Sequence, residues 1–126
     1  MFVVDDDAST LALLCDVAEA AGWTARGFRR LHEVRAQIGA HPPSLVIVDD
    51  ELPDGRGGDL ARDLQDDGQA SVPIVVCTAA HPRRQAEIGT WAPVISKPFD
   101  LVDIERLLLS VGDGGSAGAV GTPRGG

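Results

Sequence analysis

Four short apolar runs in this chain each end in residues able to do chemistry. Phe2-Val3-Val4 opens into Asp5-Asp6, Leu45-Val46-Ile47-Val48 into Asp49, Pro73-Ile74-Val75-Val76-Cys77 into Thr78, and Val94-Ile95-Ser96 into Lys97. The runs are rich in β-branched residues and lack polar alternation, as expected of strands buried on both faces of a parallel sheet. In open α/β sheets ligands bind outside the C-terminal ends of the strands. Side by side, these runs bring the carboxylates of Asp5, Asp6 and Asp49, a hydroxyl and an ammonium to one edge. Carboxylates so crowded repel one another unless a cation lies among them, and a hard, oxygen-ligated ion such as Mg²⁺ is the natural occupant. A Lys and a hydroxyl facing that ion make a pocket suited to a tetrahedral anion.

The segments between the runs must hold this edge together. Leu11, Leu14, Cys15 and Ala18 recur at helical spacing before a stop at Gly22. Trp23-Thr24-Ala25 reads as a weak second strand ended by Arg26-Gly27, and Leu31, Val34 and Ile38 place an apolar stripe on a second helix. His41-Pro42-Pro43 forces a connection before Leu45. After the Pro53 and Gly55 break, Leu60 and Leu64 mark a third helix stopped at Gly68, while Asp50, Asp54, Asp59, Asp63, Asp66 and Asp67 read as a solvated acidic face. Leu101, Ile104, Leu107 and Leu108 give a last helix, with Asp100 as its expected N-cap. Strands alternating with helices imply right-handed βαβ units and a parallel sheet covered on both faces.

Composition narrows the function. The 126 residues carry a net charge of −8, which argues against nucleic-acid binding, since phosphate backbones are held by clustered Lys and Arg. The start, Met1-Phe2-Val3-Val4, runs straight into acids and does not read as a signal peptide, and no apolar run is long enough to span a bilayer. A cytoplasmic protein that does not bind membranes is expected. Cys15 and Cys77 lie in apolar segments without metal-ligand spacing and read as core residues. Residues 1–111 are expected to form one domain, and 112–126, mostly Gly, Ser, Ala, Thr and Pro, a disordered tail.

In these residues the chain resembles the receiver domain of two-component response regulators. The resemblance covers Phe2 to about Leu109 and rests on Asp5-Asp6 after an apolar strand, the Asp-x-x-Leu-Pro-Asp-Gly segment from Asp49, Thr78, and Lys97-Pro98-Phe99. It implies a flavodoxin-like, doubly wound α/β fold with a five-stranded parallel sheet in the order 2-1-3-4-5. It also implies a phosphoacceptor at Asp49, charged by a sensor histidine kinase or phosphotransfer protein and read by a downstream protein yet to be named. Mg²⁺ would be held by Asp6, Asp49 and the backbone carbonyl of Glu51, with Asp5 placing a bound water. Lys97 and Thr78 would contact the phosphoryl group, and Pro98 matches the family's cis-proline position. Such a domain catalyses only its own phosphorylation and dephosphorylation, and with no output segment after the last helix it would act as a stand-alone receiver.

Two features depart from the family pattern. Val94 stands where an aromatic switch residue is common, and the segment from Thr78 to Lys97, interrupted by Pro82 and Gly89, is about one turn short, so a very short or irregular fourth helix is expected. Two other functions compete. Asp5-Asp6-Asp7-Ala8-Ser9 also resembles the nucleophile motif of haloacid-dehalogenase-like phosphatases, with Asp5 phosphorylated and Asp7 as acid/base. A binding module that keeps the fold but signals without phosphate is the second.

Overall fold

The computed structural model describes residues 1–67 and 72–115, the last four by their backbone alone. Its elements alternate throughout: β1 (Phe2–Val4), α1 (Ala8–Ala20), β2 (Arg26–Phe28), α2 (Leu31–Ala40), β3 (Val46–Asp49), α3 (Gly57–Asp66), β4 (Ile74–Thr78), α4 (Pro82–Gly89), β5 (Val94–Ser96) and α5 (Leu101–Gly115). All strand pairs are parallel, in the order β2-β1-β3-β4-β5, which is the expected doubly wound arrangement.

Alternation along the strands divides the core into two layers. Val4, Val46, Val48 and Val76 face α2, α3 and α4, meeting Val34, Ile38, Leu60 and Ile88. Val3, Ile47, Val75 and Cys77 face α1 and α5, meeting Leu14, Ala18, Ile104 and Leu108. Both faces of the central strands are therefore covered, which is why β3 and β4 are buried along their whole lengths. Truncating a fully buried residue such as Ile47 to Ala is expected to cost about 2–5 kcal/mol.

The second strand lies later than expected, at Arg26–Phe28 rather than Trp23–Ala25. Phe28 is buried and packs edge-on against Phe2, with ring centroids 5.0 Å apart, while Trp23 packs only partly on the opposite layer. The Arg26-Gly27 pair that reads as a turn runs within the strand. The fourth helix is short, as expected, but regular: Pro82 occupies its first turn and Gly89 its last residue, positions where neither breaks a helix. The last helix runs to Gly115, past the expected boundary at 111. The rest of the expected tail, 116–126, lies outside the described residues, as does the expected stop at Gly68.

Both cysteines are free, Cys77 buried and Cys15 half-buried. Burial pushes the Cys77 thiol up to about 12. Among the described residues no helix is long and apolar enough to cross a membrane.

Candidate functional site

The strand ends deliver their polar residues to one edge. Pairing Val4 with Val48, and Asp49 with Cys77, sets the end of β1 beside β3 and the end of β3 beside β4. Asp5, Asp6 and Asp49 each offer a carboxylate oxygen within 4.8 Å of the others. Asp5 and Asp49 are nearly buried, at 2% and 5% exposure, and Asp6 is half-buried at the mouth.

Two of the acids are aimed by backbone. Asp5 accepts a hydrogen bond from the Asp7 amide at 2.9 Å, and Asp49 from the Glu51 amide at 3.2 Å. Lys97, on the loop after β5, brings its ammonium to 3.2 Å from Asp49 and 3.6 Å from Asp5. Its amide donates to the Thr78 carbonyl at 2.8 Å, and the Lys97-Pro98 bond is cis. Burial pushes the Asp49 carboxyl up, aided by the Asp5 charge, against the pull of the Glu51 amide and Lys97. For Lys97, burial works to lower the ammonium's pKa, but the charges of Asp49 and Asp5 outweigh it and hold it above the usual lysine range.

Thr78 is fully buried, and its hydroxyl donates to the Glu51 carboxylate at 2.6 Å while accepting from the Ala80 amide at 2.9 Å. A side-chain role for Glu51 is absent from the sequence reading, which uses only its backbone carbonyl. No local signal could have found it, since the partners are 27 residues apart.

The chain turns sharply after Glu51, with the Leu52 and Gly55 backbones hydrogen-bonded to each other at 3.2 and 3.4 Å. A Cβ at Gly57 would collide with the Asp49 carbonyl oxygen and the Val48 side chain, so only glycine lets α3 start this close to β3. Of the acids assigned to the solvated face, Asp50 is not part of one, and Asp54 is exposed as expected but engaged by backbone. Asp50 is fully buried and bound by Arg84, Arg56 and the Gly58 amide. Asp54 accepts from the Leu31 and His32 amides at 2.8 and 3.0 Å and so caps α2 from a distant loop. Asp59 and Asp63 are partly covered and pair with Arg62, Arg84 and Arg35, whereas Asp66 and Asp67 are exposed as expected. Asp7 caps α1, taking hydrogen bonds from the Thr10 amide and hydroxyl.

The triad fits a hard cation. Oxygens bound to one Mg²⁺ at about 2.0–2.1 Å lie at most about 4.2 Å apart, so carboxylates within 4.8 Å of one another are close to the spacing an ion among them requires. Lys97 is already within salt-bridge distance of two of them, a distribution of charge able to receive a tetrahedral anion.

Comparison with known proteins agrees with this geometry. The family model described as the response regulator receiver domain matches residues 1–109. The photosynthetic apparatus regulatory protein RegA of Rhodovulum sulfidophilum is 30% identical over 117 residues, covering 90% of this chain and 63% of RegA. The chain thus spans less than two thirds of that relative. The polar-differentiation response regulator DivK of Brucella anthropi is 27% identical over 118 residues, covering 90% of this chain and 96% of DivK. Among solved structures, the receiver domain of a signal transduction histidine kinase from Syntrophus aciditrophicus superposes with a TM-score of 0.82 at 21% identity, covering 96% of this chain and 95% of that one. The Francisella response regulator 1452 receiver domain gives 0.80 at 17%, covering 87% and 93%. At such identities the structural likeness speaks for the fold.

Proposed function

The chain belongs to the response regulator receiver-domain family of two-component signalling, and from that premise we propose that it accepts a phosphoryl group on Asp49 from the phosphohistidine of a sensor histidine kinase or phosphotransfer protein. The observation that carries this reading is the meeting of Asp5, Asp6, Asp49, Thr78 and Lys97 at one sheet edge, with the Asp49 carboxylate nearly buried and 3.2 Å from an ammonium.

In the transfer, an Asp49 carboxylate oxygen attacks phosphorus while the bond from phosphorus to the donor nitrogen breaks, its electron pair leaving with the imidazole. Asp6, Asp49 and the Glu51 carbonyl would hold Mg²⁺, with Asp5 placing a bound water, and the bound ion would offset the charge on donor, acceptor and transferring oxygens. Lys97 pairs with a phosphoryl oxygen, and Thr78 turns its hydroxyl from Glu51 to another. The buried strand ends hold Asp49 in line, so that positioning and charge do most of the work.

Turnover is confined to the chain's own phosphoryl group, and the phosphorylated domain is read by a downstream protein in the cytoplasm. With a net charge of −8 this chain is ill suited to bind nucleic acid itself. Phosphorylation of Asp5 fits less well. That route needs Asp7 as acid/base, and Asp7 is exposed and committed to capping α1.

Intact-mass measurement after incubation with acetyl phosphate and Mg²⁺ tests the reading. One phosphoryl group is expected on the wild type and none on Asp49→Asn or in EDTA. Equal labelling of both proteins, or labelling indifferent to EDTA, contradicts it, and an unlabelled wild type would favour a module that signals without phosphate.

A further inference from the structure

Asp50, the residue after the proposed acceptor, is a charged side chain with no solvent exposure and no part in phosphoryl transfer. Following Asp49 on the strand path, it points into the layer of α3 and α4. Its carboxylate takes the Gly58 amide at 2.9 Å, Arg84 Nη2 at 3.0 Å, Arg84 Nε at 3.2 Å and Arg56 Nη1 at 3.4 Å. Burial pushes this carboxyl up, but the hydrogen bonds of Arg84 and Gly58 and the charges of Arg84 and Arg56 outweigh it and hold it below the ordinary carboxylate value.

Arg84 is in α4 and is only 17% exposed at its side chain. It also pairs with Glu87, lies 3.6 Å from Asp59, and sits over the Trp91 ring. The close approach is built into the backbone, because a Cβ at Gly58 would press at once on Arg84, Asp50 and Ile88. Ile88 is the sole buried residue of α4, so the Arg84 fork is that helix's second anchor.

Two paths from the site meet at this helix. One passes from Asp49 along the backbone to Asp50. The other leaves Thr78, whose hydroxyl accepts from the Ala80 amide, and the Ala80 carbonyl in turn accepts from Gln85 at 2.8 Å. A two-point guanidinium-carboxylate contact is strongly directional, and separating its partners leaves buried charge unpaired. When the loops after Asp49 and Thr78 shift, α4 therefore moves with them more readily than the pair opens.

We propose that the Asp50-Arg84 pair is the conformational link through which occupation of the Asp49 site is reported at α4, a task for which Val94 has no ring. The proposal rests on the phosphoacceptor reading, and the closing experiment keeps the two apart. Asp49 labelling by acetyl phosphate is measured by mass, and backbone amide shifts are recorded with and without beryllofluoride and Mg²⁺, for wild type and Arg84→Gln. Arg84→Lys, which keeps the charge but loses the fork, is included in case the Gln variant does not fold. Expected are labelling of every folded variant, shifts at Thr78 to Ala80 in each, and shifts from Arg83 to Ile88 and at the Trp91 indole in wild type alone. Labelling with a silent α4 in wild type, or with α4 shifts undiminished in the variants, overturns this proposal and leaves the acceptor reading standing. Absence of both labelling and beryllofluoride shifts overturns both.

Discussion

The hydroxyl of Thr78 donates to the carboxylate of Glu51 across the mouth of the site at 2.6 Å, so the group proposed to meet the phosphoryl oxygen already has an anionic partner. Phosphorylation must replace one anion by another. Glu51→Ala removes the competitor and a like charge, while leaving the backbone carbonyl in place. Beryllofluoride is expected to bind this variant more tightly, by up to about tenfold if one charge-assisted hydrogen bond of roughly 1.5 kcal/mol is no longer broken. Titration followed by tryptophan fluorescence checks this, and unchanged or weaker binding counts against the competition.

Lys97 lies 3.2 Å from Asp49 and 3.6 Å from Asp5, where its ammonium offsets the acids' repulsion. Its removal should therefore leave Mg²⁺ affinity intact or raise it, while phosphorylation ceases to drive the loop shifts. Calorimetric titration of Lys97→Ala against Asp6→Ala separates the roles. A loss of Mg²⁺ binding equal to that of Asp6→Ala would show that Lys97 organises the metal site itself.

Asp54 ties the loop after β3 to the first turn of α2 through the Leu31 and His32 amides and a 2.8 Å contact with the His32 ring. Partial burial works to raise the Asp54 pKa, but the hydrogen bonds from the two amides and the ring outweigh it and hold it well below the usual carboxylate range. Because the folded-state pKa is depressed, its stabilisation is complete above the unfolded value of about 4 and fades as pH falls through the folded value. Asp54→Ala is expected to cost about 1 kcal/mol at neutral pH, as for loss of a cap, with the gap to wild type narrowing in acid. Urea unfolding at several pH values checks both. A gap that widens in acid reverses the sign.

The central strands and the site residues at their ends are plain in the sequence, because a strand buried on both faces must be continuously apolar and the first polar residue after it marks the sheet edge. What escapes is anything decided by partners far along the chain. Asp50 looks like a member of an acidic surface until the sheet brings Arg84 to it, 34 residues on, and the exposed Asp54 looks idle until the start of α2, 23 residues back, meets it. The edge strand Arg26–Phe28 is hidden for another reason. Its Arg-Gly pair is turn-like, and the Phe28 contact with Phe2 that fixes its register is tertiary.

Among the described side chains of α5, Ile104 and Leu108 are buried in the core, with Val111 packed partly against the same layer. We propose that residues 1–111 suffice for folding and that 112–126 add nothing to it. A chain ending at Val111 should melt within about 2 °C of the full one. A larger fall would show that the remaining segment contributes.

Under the proposed function the phosphoryl group is carried by Asp49. Borohydride reduces an acyl phosphate to the alcohol, converting the modified aspartate to homoserine, so peptide mapping after acetyl phosphate and Mg²⁺ treatment reads the acceptor directly. Homoserine at position 49 alone is the expected result. Homoserine at position 5, with Asp49 intact, would contradict it and turn the site into that of a phosphatase-like enzyme.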